Sequence, residues 1–150
     1  MRHIPVLFAF LAPLLLVAQA PPAELQALND LYGGVVRFKI DKHDRLVADF
    51  FDGATHYRQD VAYLEHLDPG AIAFNAEEGA VMLTCTEGNG QCIDKELFKL
   101  NTIRHTGRSN LPPAPGDADG ARSIAALRAL IGSAQERLVN AGGTSGPKRP

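Results

Sequence analysis

The chain has 150 residues, of which 45% are hydrophobic, and its 15 Lys and Arg face 17 Asp and Glu for a formal net charge of −2. This length accommodates a single domain with a hydrophobic core. The mildly acidic balance argues against a nucleic-acid partner, which needs clustered positive charge, and no polybasic patch for an anionic membrane is present.

The first twenty residues contain the three parts of a secretory signal peptide. Arg2 gives a positive start, residues 4–17 form an uncharged apolar run, and residues 18–20 form the Ala-Gln-Ala pattern that signal peptidases read. Pro21 is poorly tolerated just after a cut, so displaced cleavage and a retained membrane anchor stay open as alternatives. We expect a periplasmic or secreted protein whose single globular domain, residues 21–140, makes no stable membrane insertion after cleavage.

Hydrophobic periodicity predicts a short helix followed by a series of strands. Helical spacing of leucines predicts a helix over residues 23–32, and alternation predicts a hairpin of strands over 35–40 and 45–51. The sequence of residues 56–67 suits either a kinked strand or a helical turn. Further strands are predicted at residues 71–74, 80–85, 91–95 and 97–106, the last one broken near Asn101.

The clearest element is an amphipathic helix over residues 120–139. Its apolar side chains recur on one face: Ile124, Leu127, Ile131, Ala134 and Leu138. Asp119 is placed to cap the start of the helix. The stripe predicts packing against the domain's own sheet, with a partner-binding or membrane-surface helix as the alternative. The Gly- and Pro-rich tail at residues 141–150 is expected to be disordered.

The two cysteines of the chain predict a disulfide. An exported protein meets an oxidising environment, where Cys85 and Cys92 are expected to pair. The Gly-Asn-Gly run at residues 88–90 favours a tight turn. Such a turn would place the two cysteines opposite each other, across a hairpin of the strands at 80–85 and 91–95.

No established catalytic motif is present, and the sequence predicts no catalytic residue, cofactor or metal ligand. The G-x-S-x-G elbow, the H-E-x-x-H zinc motif, the P-loop and the dinucleotide fingerprint are all missing. The favoured role is therefore an exported, non-catalytic binding domain for an unknown protein, peptide or small molecule. Its candidate ligand-binding residues are Tyr57, Arg58 and Tyr63, near Phe74, with the Arg58-Gln59-Asp60 run forming either the polar rim of a groove or a surface salt bridge.

The alternative role is a small periplasmic hydrolase or metal-dependent enzyme. Glu65, His66 and Asp68 form the densest group of titratable residues in the sequence, and His56 is the further candidate. A carboxylate beside a histidine can orient the imidazole or help to bind a metal. Convergence of the four side chains in one pocket would favour this role.

The order of elements predicts an α+β fold, with about six or seven antiparallel strands forming a curved sheet or partly open barrel that a C-terminal helix plugs.

Over residues 35–138 this order resembles the pleckstrin-homology-like architecture, through its strands and the helix at 120–139. The cysteine-closed segment at 85–93 and the Ala-Leu-x-x-Leu-Ile helix at 126–131 resemble small exported bacterial proteins of uncharacterised function. The resemblance implies a fold that hosts lipid, peptide and protein binding, but the basic loop needed for phosphoinositides is missing. Another small α+β domain, with a four- or five-stranded sheet, is the alternative.

Overall fold

The structure is a computed structural model that describes residues 21–143. The predicted signal peptide at residues 1–20 lies outside the described residues, as do residues 144–150 of the predicted tail. The C-terminal helix runs on to Gly143, so residues 141–143 of that tail are helical.

The described residues form two helices and eight strands. In chain order they are α1 (Ala23–Tyr32), β1 (Val36–Ile40), β2 (Arg45–Asp52), β3 (Thr55–Tyr63), β4 (Ala73–Asn75), β5 (Ala80–Thr84), β6 (Ile93–Leu97), β7 (Thr102–Thr106), β8 (Arg108–Leu111) and α2 (Ala121–Gly143). The first helix has its predicted bounds and ends at Gly33, whose φ of 58° is left-handed. The segment at 56–67 is a strand as far as Tyr63, followed by a 3₁₀ turn at Leu64–His66.

The strands form two antiparallel sheets, which confirms the α+β class. One sheet has the order β1-β2-β3-β6-β7, and the other has the order β4-β5-β8. Within residues 21–143, neither sheet closes into a barrel. The strand count exceeds the predicted six or seven mainly because β8, with the sequence Arg-Ser-Asn-Leu, has no apolar alternation to reveal it. Its pairing with β5 is set by the tertiary structure.

The predicted disulfide is present, but the hairpin predicted around it is wrong. Cys85 and Cys92 are bonded with their Cα atoms 5.8 Å apart. The strand before the bridge, β5, pairs with β4 and β8, whereas the strand after it, β6, pairs with β3 and β7. The chain changes sheets between the two cysteines, so the bridge ties one sheet to the other. The bond also indicates an oxidising environment.

The apolar stripe of α2 is buried within the domain, as predicted. Leu127, Leu130 and Ile131 are fully buried, and the helix contacts α1, β4 and the 3₁₀ turns at Leu64–His66 and Pro69–Ala71. Burial of each large apolar side chain stabilises the fold by about 1.5–3 kcal/mol. Neither α1 nor α2 combines the length and apolarity of a membrane-crossing helix.

A buried carboxylate fixes the start of α2. Asp117 accepts hydrogen bonds from the backbone N–H groups of Arg122 (3.1 Å) and Ser123 (2.8 Å), and from the Ser123 hydroxyl (2.7 Å). Burial raises the pKa of Asp117, but the hydrogen bonds from Ser123 and Arg122 outweigh burial and lower this pKa below its ordinary value of 3.8. The predicted cap, Asp119, accepts one hydrogen bond from the N–H of Ala121.

Reduction of the disulfide is expected to lower the free energy of unfolding by roughly 2–3 kcal/mol, because the bridge restricts the unfolded chain. Urea unfolding with and without a phosphine reductant measures this difference. A variant with both Cys85→Ala and Cys92→Ala should match the reduced protein and show no response to reductant. Equal unfolding midpoints for the oxidised and reduced proteins would contradict the structural role of the bridge.

The cap at Asp117 predicts a pH-dependent contribution to stability. Since the folded state lowers the pKa of this carboxyl, the stabilisation is present above the ordinary value of 3.8 and is lost as the pH falls through the folded-state pKa. Asp117→Asn should therefore reduce stability near neutral pH by about 1–2 kcal/mol, with a smaller deficit in acid. Urea unfolding as a function of pH tests this, with Asp119→Asn as the matched control; a deficit independent of pH would refute it.

Candidate functional site

A groove lined by aromatic side chains opens at one end of the five-stranded sheet. It lies between the turn that joins β2 to β3 and the 3₁₀ turn at Phe98–Leu100 that joins β6 to β7, and its volume is about 670 Å³. Seven residues line what we call the aromatic groove: Phe51, Asp52, Thr55, His56, Tyr57, Phe98 and Lys99.

The rings of the aromatic groove support one another. The His56 imidazole stacks on Phe51 with centroids 4.8 Å apart and an interplanar angle of 20°. Phe98 meets the same imidazole edge-on at 4.6 Å, and the Arg37 guanidinium lies 4.4 Å from the centre of the Phe51 ring. Offset, edge-on and cation–π contacts of this kind hold aromatic side chains in fixed orientations.

A β-bulge in the β2–β3 pair creates the aromatic wall. Phe50 pairs with Arg58 in the ladder, but Phe51 pairs with His56, so Tyr57 is the extra residue. Phe50 is fully buried in the core, whereas the Tyr57 side chain projects into the groove and is 41% exposed. Strand alternation places Phe50 in the core and Phe51 on the opposite face, and the bulge adds Tyr57 to the wall beside Phe51.

Asp49 organises the polar floor beside the rings. Its carboxylate accepts a hydrogen bond of 2.6 Å from Gln59 Nε2 and forms an ion pair with Lys39 at 3.3 Å. His56 Nε2 lies 3.1 Å from Asp49 Oδ1, but the two atoms are not aligned for a hydrogen bond, and Nε2 is buried with no hydrogen-bond partner among the described residues. The contacts with Phe51 and Phe98 therefore position the imidazole, with the Asp49 carboxylate beside it.

Arg58, one of the three predicted ligand-binding residues, faces the interior. Its guanidinium forms two contacts of 2.9 Å with the carboxylate of Asp60, which is buried, and donates to the Asn110 carbonyl oxygen at 2.7 Å. The guanidinium also lies 3.7 Å from the centre of the Phe50 ring. The Arg58-Asp60 run is therefore a buried ion pair, and neither a groove rim nor a surface salt bridge.

The other predicted tyrosine, Tyr63, lies at the opposite end of β3. Its ring is 6.2 Å from that of His66, and the Arg45 guanidinium lies 5.8 Å from its centre. Tyr57 and Tyr63 are six positions apart along the extended strand, a distance of about 20 Å. Tyr63 lines a separate depression of about 340 Å³ beside the disulfide. The three predicted ligand-binding residues therefore do not form one site, and Phe74 packs against the core.

The residues of the predicted enzymatic alternative are dispersed. His56 belongs to the aromatic groove, whereas Glu65 and His66 pair at 3.4 Å on the 3₁₀ turn after β3. Asp68 caps the next 3₁₀ turn by accepting hydrogen bonds from the N–H groups of Gly70 and Ala71. Within residues 21–143, no three His, Cys, Asp or Glu side chains are grouped so that they could hold a metal ion.

Comparison with known proteins adds no relative. No protein-family model matches the chain, and no curated protein or solved structure matches it. The functional proposal therefore rests on the chemistry of the described residues.

Two main components of the aromatic groove, Phe51 and Phe98, are missing from the sequence prediction. Consecutive phenylalanines in Asp-Phe-Phe-Asp carry a usable signal, because adjacent residues of a strand point to opposite faces and one ring must leave the core. Phe98 gives a weaker signal, as an aromatic residue in a break between two strands. Neither signal shows that both rings contact His56, since that arrangement depends on the pairing of β3 with β6.

Proposed function

We propose that this protein is a non-catalytic binding domain whose aromatic groove holds an amphipathic ligand, a peptide or small molecule that carries an aromatic or apolar group. The observation that supports this most directly is the open wall of Phe51, His56, Tyr57 and Phe98. Binding sites are concave, are largely apolar and contain a few polar groups that fix orientation. The aromatic groove has all three properties.

The exposure of the rings supports a binding role. Tyr57 and Phe98 remain 41% and 38% exposed although the domain buries its other phenylalanines more fully, and the neighbouring Leu100 and Ile103 are 63% and 59% exposed. Exposed aromatic side chains supply contact area at a small entropic cost, and they dominate binding energy at many interfaces. Their fixed orientations reduce the cost of ordering the site around a ligand.

The charges at the edge of the groove indicate which charged group the ligand carries. Asp52 and Lys99 both line the groove, and neither side chain forms an ion pair within the described residues. A ligand with an apolar centre and a carboxylate could pair with Lys99. We therefore favour an aromatic acid or a peptide with an aromatic residue near an acidic one.

The proposed site of action is the periplasm or the exterior of the cell. Two features support it: the predicted signal peptide at residues 1–20 and the disulfide between Cys85 and Cys92. The proposed kinship with pleckstrin-homology-like domains is compatible with a binding role, since that architecture hosts many ligands.

Titration with N-acetyl-tryptophan, followed by amide chemical shifts in NMR spectra, tests the proposed function. We expect saturable shifts at Phe51, Tyr57 and Phe98. The uncharged N-acetyl-tryptophan amide should bind more weakly, because it lacks the carboxylate that pairs with Lys99. Tyr57→Ala should weaken binding by about fivefold to tenfold, the factor that corresponds to roughly 1 kcal/mol of ring contact.

Tyr63→Ala is the matched control, because Tyr63 lies on the same strand and has nearly the same exposure, 40%. Its binding should equal that of the unsubstituted protein. No saturable shift in the aromatic groove, or equal losses in the two tyrosine variants, would contradict the proposal.

A further inference from the structure

A second polar depression, of about 140 Å³, lies where the two sheets meet. Side chains from β5, β6, β7 and β8 line it together with one from the β4–β5 turn. We call it the cationic cleft and define it by Glu78, Met82, Lys95, Thr106, Arg108 and Asn110.

Positive charge in and around the cationic cleft exceeds negative charge. Lys95 pairs in the ladder with Asp60 on one side and Arg104 on the other, and cross-strand partners share a face of the sheet. The Asp60 carboxylate forms an ion pair with Arg58, and Arg104 forms no ion pair within residues 21–143. The remaining carboxylate, that of Glu78, pairs with Arg108 at 3.2 Å.

Among the described residues, Lys95 has no carboxylate partner of its own. Its ammonium donates one hydrogen bond of 3.2 Å to Asn110 Oδ1. Burial lowers the pKa of Lys95, and the nearby charge of Arg58 lowers it further, against the opposing effect of Asp60. The charged form of Lys95 is therefore incompletely compensated in the folded protein.

The side-chain amide of Asn110 adds a third donor group to the cationic cleft, beside Lys95 and Arg108. Its Oδ1 accepts hydrogen bonds from both Arg58 and Lys95 at 3.2 Å, which fixes the orientation of the amide. The Nδ2 donors of the same amide make no hydrogen bond within the described residues. The Lys95 ammonium, the Arg108 guanidinium and the Asn110 amide thus offer donors to one small space, and oxyanions are the ligands that such donors bind.

We propose that the cationic cleft binds a small oxyanion, the phosphate or the carboxylate of a ligand, between Lys95 and Arg108. The Glu78 carboxylate holds Arg108 until the oxyanion replaces it. This site is separate from the aromatic groove and does not depend on its function.

Titrations with inorganic phosphate and with acetate, at constant ionic strength, test the proposal by NMR. We expect saturable amide shifts at Lys95, Arg108 and Asn110 with at least one of the two anions, and the preferred anion identifies the ligand class. Lys95→Met should weaken that binding by about tenfold or more, because it removes a charged donor. Lys42→Met is the matched control, since it removes the same charge from an exposed turn remote from the cleft and should leave binding unchanged.

Two further measurements distinguish specific binding from a general effect of charge or misfolding. Glu78→Gln should tighten anion binding about threefold or more, because it removes the competing carboxylate from Arg108. Binding should also raise the pKa of Lys95, measured from the chemical shift of its side chain. Absence of saturation with both anions, equal losses for Lys95→Met and Lys42→Met, or weaker binding in Glu78→Gln would overturn the proposal.

Discussion

The buried ion pair between Arg58 and Asp60 is the central polar contact between the two sheets, which the disulfide and a shared hydrophobic core also join. Both residues belong to β3 of the five-stranded sheet, and both reach β8 of the three-stranded sheet. Arg58 donates to the Asn110 carbonyl oxygen at 2.7 Å, and the Ser109 hydroxyl donates to Asp60. Burial of two charges is costly, and the paired N–H···O contacts at 2.9 Å and the added hydrogen bonds offset this cost.

The same ion pair lies between the two proposed binding sites. On one side the Arg58 guanidinium covers the Phe50 ring, whose centre lies 6.3 Å from that of the Tyr57 ring in the aromatic groove. On the other side the hydrogen bond from Arg58 to Asn110 orients the amide that contacts Lys95. Arg58 is thus a positioning residue for both sites, although the sequence alone indicates a role in direct ligand contact.

Local patterns predicted the elements whose burial alternates regularly. The β1–β2 hairpin and α2 follow directly from the spacing of apolar residues, and the two cysteines predicted their bond. The sequence does not indicate that Arg58 and Asp60 face inward, because the Arg-Gln-Asp run is polar throughout and a bulge shifts the register just before it. The sequence does not reveal β8 for a similar reason, since this strand contains one apolar residue.

The assignment of β5 and β6 to different sheets also lies beyond local sequence. The Gly-Asn-Gly run between the cysteines suits a tight hairpin as well as the wider path that the chain takes. Pairing of β6 with β3, and of β5 with β8, settles the path through contacts between residues distant in the chain. The aromatic groove and the cationic cleft both depend on these long-range pairings. The sequence therefore indicates Tyr57 as a ligand-binding residue and His56 for the enzymatic alternative, but neither the other residues of the groove nor their arrangement.

A double-mutant cycle on the buried ion pair tests this account most directly. Free energies of unfolding in urea would be measured for the unsubstituted protein, Arg58→Met, Asp60→Asn and the double variant. We predict that each single substitution costs about 3–5 kcal/mol, because it leaves a buried charge unpaired, and that the double variant loses far less than the sum of the two. Small, additive losses would show that the two sheets are held together without this ion pair.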